Sequence, residues 1–142
     1  MGLANALGRA VASFIGHFES VKRPPLYAAF TLIFSLTILP VTLAASFWAF
    51  ALPLFMFGFS FGGMLSQLAG VLTELFGAAH LLNAYGYVIC ACGLGGISLP
   101  FLAGLVGDVK GVEWSFYLAH AFGLLASSLA LAVLPLKGRR YE

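Results

Sequence analysis

Arg9 is the residue of this sequence best suited to chemistry, because it stands inside an otherwise apolar run from Gly2 to Phe18. A guanidinium near the middle of an apolar helix costs about 2.5–3.5 kcal/mol on insertion scales, and such a charge marks a pathway or a binding site by default. Asn5 lies four residues earlier, on the same face of a helix, where it can bond the guanidinium or a ligand. Arg grips a carboxylate through two parallel hydrogen bonds, so the chemistry on offer is capture of an organic anion. The opposing reading is a surface helix whose Arg9 reaches out to lipid headgroups.

A second group is aromatic. Phe55, Phe57, Phe59 and Phe61 alternate, with Gly58, Gly62 and Gly63 among them and Ser66 and Gln67 following. On a helix Phe57, Phe61 and Leu65 share one face, which either lines a substrate cavity with Ser66 as its polar neighbour or packs against lipid and other helices. His120 sits within the last apolar run; it either moves protons or is a neutral ring bonded to a backbone carbonyl. Cys90 and Cys92 are two residues apart, on nearly opposite sides of a helix, so they neither pair nor hold a metal and read as structural. Glu74 and His80 read as solvated loop residues and Asp108 as an interfacial turn. No nucleophile has a base at a recognisable spacing, and there is no phosphate loop or Cys/His cluster. The sequence therefore gives no support for an enzyme, a metal or a cofactor.

The elements that must position these residues are set by lipid. The 142 residues are 61% hydrophobic and 8% charged, with a mean hydropathy of +1.01, whereas soluble domains are about 25% charged. A net charge of +2 is too sparse for a nucleic-acid surface. From Pro24 to Thr73 no residue carries a formal charge; a spanning helix needs about 20 apolar residues, so this interval holds two spans joined near Leu43 to Phe47. Leu75 to Gly107 is a second uncharged interval and Trp114 to Leu136 a third, with Trp114 and Tyr117 placed as an interfacial aromatic belt. The expected all-α, polytopic bundle has helices at about 2–18, 26–45, 47–72, 81–106 and 114–136, and a tail at 137–142. Arg9 lies inside its apolar segment rather than before it, which argues against a cleaved signal peptide.

Four full spans return the chain to its starting side, so Lys22, Arg23, Lys137, Arg139 and Arg140 share one compartment against Lys110 on the other. The positive-inside bias makes the shared side, and the C-terminus, cytoplasmic, in a membrane expected to be the plasma membrane. Gly96, Pro100 and Gly104 recur at spacing four, giving the third full span a face without bulk of the kind that lets helices pack closely in lipid. Pro40, Pro53 and Pro100 lie within spans, where each removes a ladder donor and kinks the helix.

Several strings resemble the closing part of the monocarboxylate transporters of the major facilitator superfamily. They are FGFSFGGMLSQLAGVLTELFG (57–77), NAYGYVICACGLGGISLPFLAGLVGD (83–108), and GLANALGRAVASFIG (2–16) followed by the basic loop and RPP. The resemblance implies that 2–18 corresponds to most of helix eight and the four full spans to helices nine to twelve. It implies two six-helix bundles rocking about a midplane site, with the N-terminal half and the seventh helix missing here. It also assigns Arg9 to the arginine that engages the substrate carboxylate, Phe61 to an aromatic bounding the cavity, and Leu65 and Ser66 to its lining. The expected cargo is a small monocarboxylate-like organic anion, with a proton as candidate co-substrate; an accessory membrane protein is left unidentified. The sequence departs from the family at Asn5, where an Asp is frequent and titratable, and at Leu99, where a Gly usually precedes Pro100. The competing reading is a self-contained small membrane scaffold or assembly subunit that oligomerises through its glycine face.

Overall fold

A computed structural model of the chain describes residues 2–18, 22–42 and 44–133. Among the described residues the chain is helical, in six α-helices and one 3₁₀ turn: α1 (Gly2–His17), α2 (Arg23–Leu36), α3 (Ile38–Thr42), α4 (Phe47–Phe76), the turn Ala78–His80, α5 (Leu81–Lys110) and α6 (Val112–Val133). Four segments are long and apolar enough to cross a membrane: Arg23–Thr42, Phe47–Phe76, Ala78–Lys110 and Val112–Ala132. The chain is a multi-pass membrane protein. The tail cations Lys137, Arg139 and Arg140, and the end of the expected last span at 134–136, lie outside the described residues.

The boundaries follow from local chemistry. Pro24 and Pro25 fall in the first turn of α2, where their missing N–H groups cost nothing. That span breaks at Thr37, four residues after which the helix would need Val41 and three after which Pro40 stands; Pro40 has no N–H to give the carbonyl of Leu36, and α2 ends at Leu36. Ser46 caps α4 by accepting a hydrogen bond from the Ala49 amide at 3.3 Å, as Ser does at helix starts. Pro53 and Pro100, by contrast, are carried inside unbroken helices. α4 and α5 run beyond the uncharged intervals and stop at Gly77 (φ 79°) and Gly111 (φ 101°), positive-φ positions that glycine adopts without penalty. Asp108 and Lys110 consequently belong to the last turns of α5 rather than to a loop.

Small residues hold the core together. Ala4, Gly8 and Ala12 form the buried face of α1, which meets α4 at Phe59, Gly62 and Gln67, while Gly63 of α4 lies against Phe30 of α2. A Cβ on Gly8 would overlap the Phe59 carbonyl and one on Gly62 the Asn5 carbonyl, so the two backbones touch. Further along, Gln67 donates to the Ala12 carbonyl at 2.6 Å and sits against Gly16. The 5–8 stretch of α1 meets 59–62 of α4 and the 12–16 stretch meets Gln67, so α1 and α4 run parallel. Two buried hydroxyls are spent on their own helices: Ser60 donates to the Met56 carbonyl and Ser127 to that of Gly123, each at 2.8 Å. In hydrocarbon such satisfaction is obligatory.

α2 and α6 are clasped by a reciprocal pair. The Ser35 hydroxyl donates to the His120 carbonyl at 3.3 Å, and His120 Nδ1 lies 2.8 Å from the Ser35 carbonyl. Only a protonated Nδ1 can donate to that carbonyl, so the ring is the backbone-bonded histidine of the two sequence readings. Glu74 also differs from the solvated residue expected: it is half-buried and accepts from the Arg23 amide at 3.4 Å, while the Arg23 guanidinium lies over Gly70.

Candidate substrate site

The α1–α4 crossing determines where the expected site residues stand. Because Gly8 is pressed against α4, its neighbour Arg9 is turned about 100° away and is exposed. Asn5 is half-buried, with its carbonyl against Gly62, and its side-chain Oδ1 accepts from Arg9 Nε at 2.9 Å. This bond holds a charge-bearing side chain to a residue anchored at the tightest point of the bundle. It also uses only one edge of the guanidinium, leaving the terminal Nη groups as a two-donor fork.

Phe61 adjoins Gly62 on α4, as Arg9 adjoins Gly8 on α1, so both flank the same backbone contact. Its ring, 38% exposed, leans towards α2, with its centroid 5.9 Å from that of Phe34; Phe57 lies at 4.4 Å from the same ring. The aromatic stripe therefore stacks on Phe34 along one edge and leaves Phe61 partly open. Leu65 is half-buried one turn further on, and the Ser66 hydroxyl donates to the Gly63 carbonyl at 2.9 Å. The structure brings Asn5 and Arg9 into direct contact and sets Phe61 and Leu65 on the adjoining helix. It points the Ser66 hydrogen into its own backbone, leaving the oxygen lone pairs free to accept. Among the described residues no group of three His, Cys, Asp or Glu side chains comes together.

Gly96, Pro100 and Gly104 are exposed, and a Cβ on either glycine would meet open space. The close helix contacts within the chain are made elsewhere, at Gly8, Gly62, Gly63 and Gly123. Gly8 and Gly62 are the positions that sequence reasoning passed over. The spacing of Ala4, Gly8 and Ala12 was the available signal, since three small residues at intervals of four make a packing face.

The chain is 38% identical over 131 residues to Monocarboxylate transporter 14 of Homo sapiens, a match covering 88% of this chain and 25% of that protein. It is 37% identical over 94 residues to Monocarboxylate transporter 14 of Mus musculus, covering 66% of this chain and 18% of that protein. No family model and no solved structure matches. The chain thus spans about a quarter or less of the length of the curated relatives it matches. With four apolar spans in the structure and these identities to its relatives, the chain is related to the monocarboxylate transporter family.

Proposed function

We propose that this chain supplies part of a membrane transporter for small monocarboxylate-like organic anions, working by alternating access between two helical bundles of the major facilitator kind. The observation that carries the reading is the Arg9–Asn5 bond. It leaves an always-charged, bidentate donor exposed on a segment of low dielectric, where it is matched to a carboxylate. Phe61 and Leu65 form the apolar neighbour for the short carbon chain of such an anion, and the lone pairs of Ser66 a polar one. The chain would correspond to the closing portion of the transporter, with its C-terminus in the cytosol at the plasma membrane.

Proton linkage, in this reading, cannot pass through Asn5, because an amide does not titrate in the physiological range; a coupled proton needs another carrier. The test is uptake of a labelled short-chain monocarboxylate by the transporter assembled with its remaining helices. Arg9→Ala is expected to reduce uptake at least about a hundredfold, the scale of losing a charged hydrogen-bonded contact to the bound anion, with membrane insertion unchanged. Arg9→Lys is expected to recover only a part, since an ammonium lacks the planar fork. Undiminished uptake by Arg9→Ala would remove Arg9 from the site.

A further inference from the structure

Gln67 is the buried polar side chain that the anion site leaves unused. It is 3% exposed within the apolar span Phe47–Phe76, and a carboxamide at that depth must be bonded to protein. Ser60 and Ser66 meet that need on their own helix, α4, whereas Gln67 reaches across to α1: its Nε2 donates to the Ala12 carbonyl at 2.6 Å. Its amide lies over Gly16, where a Cβ would come within 2.9 Å of Oε1 and 3.0 Å of Nε2. Among the described residues this is the one side-chain hydrogen bond that joins α1 to α4. The other contacts of the crossing, Gly8 on the Phe59 carbonyl and Gly62 on the Asn5 carbonyl, are contacts of shape. Shape sets how closely two backbones approach and only weakly resists rotation of a helix about its own axis, whereas a hydrogen bond is fixed in both length and angle.

Ala12 lies three residues beyond Arg9, about 4.5 Å along the axis and close to one full turn. Arg9 is therefore bracketed: one turn before it Asn5 rests on Gly62, and nearly one turn after it Ala12 is bound by Gln67. We propose that Gln67 is a positioning residue for the anion site, holding α1 at the rotation that sets where the Arg9 guanidinium stands relative to Phe61 and Leu65. The proposal rests on Arg9 being the anion-binding group. Leverage decides the size of the effect. The rim of a helix lies about 5–6 Å from its axis, so turning α1 by roughly 10° displaces the guanidinium by about 1 Å. A misplacement of about 1 Å can cost up to about a hundredfold where donors must be aligned.

The test uses the transporter assembled with its remaining helices and radiolabelled propionate. Gln67→Met keeps the length of the side chain and removes the donor. It is expected to raise KM about tenfold, within the range that misplacement costs, and to leave turnover at saturation within about twofold, as loss of binding alone does. In an Arg9→Lys background the same change should raise KM by less than about twofold, because an ammonium on a flexible stem has no fork to misalign. An equal rise in both backgrounds, or a loss of turnover without a rise in KM, would reduce Gln67 to a packing residue and overturn the proposal. Gly16→Ala presses on the same amide from α1 and serves if Gln67→Met fails to insert; KM should again rise with Arg9 and not with Lys at that position, and an unchanged KM would overturn the role. Undiminished uptake by Arg9→Ala removes the anion site and the role of Gln67 with it. Uptake lost in Arg9→Ala but an unchanged KM in Gln67→Met overturns the positioning role alone.

Discussion

Arg9 Nε is engaged by Asn5 Oδ1, and the consequence is clearest if the amide is made titratable. Asn5→Asp places a carboxylate against the guanidinium, where the opposite charges attract. The new group is therefore ionised at neutral pH and competes with the substrate carboxylate for Arg9. An anion binds more tightly once that carboxylate takes up a proton and its negative charge is removed, so affinity rises as pH falls. For the variant, KM for a monocarboxylate should decrease by up to about tenfold for each unit of acidification, whereas the Asn5 protein shows no such slope from this pair. Measuring KM at two pH values decides the matter, and equal slopes in the two proteins would refute the competition. The pair itself was readable in advance, because two residues four apart on a helix need no knowledge of the fold to be placed in contact. The bond of His120 to Ser35 was readable only as a type of contact, since its partner is on a distant helix.

At the scale of elements, glycine has two different roles in this chain. Gly8 and Gly62 admit backbone contact between α1 and α4, and a methyl group on either would collide with a carbonyl oxygen that cannot swing aside. Gly96 and Gly104 on α5 face open space. Gly8→Ala and Gly62→Ala should each destabilise the bundle by about 1–3 kcal/mol, the range for overpacking, whereas Gly96→Ala and Gly104→Ala should leave the isolated chain within about 0.5 kcal/mol. Denaturant titration in detergent micelles provides the comparison; equal costs at all four positions would contradict the assignment of contacts. The spans themselves were legible from charge-free length, and the kink at Thr37 from Pro40. What was not legible was which glycine face meets which helix. Periodicity reports that a face is small, but in lipid, where apolar side chains gain little by leaving one apolar neighbour for another, it does not name the partner.

At the scale of the whole molecule, topology rests on contacts as well as on charge. The Arg23 amide meets the Glu74 carboxylate, so the start of α2 and the end of α4 lie at one end of the bundle, as two successive full crossings require. The parallel run of α1 and α4 agrees with a reversal at each connection. Lys22 and Arg23 then share a side with Glu74, and Lys110 lies across the membrane from them. The same packing sets a limit on what the chain can do by itself. α1, α2, α4 and α6 are joined by backbone contacts and hydrogen bonds into one body, whereas alternating access requires two bodies that rock about a site between them. α5, thirty residues long, has no buried residue. The chain alone in vesicles is thus expected to insert and yet to give no saturable uptake of a labelled monocarboxylate above that of protein-free vesicles. Saturable uptake that Arg9→Ala abolishes would show that these helices form both sides of a gate, through a second copy or otherwise, and would refute the need for a separate second bundle.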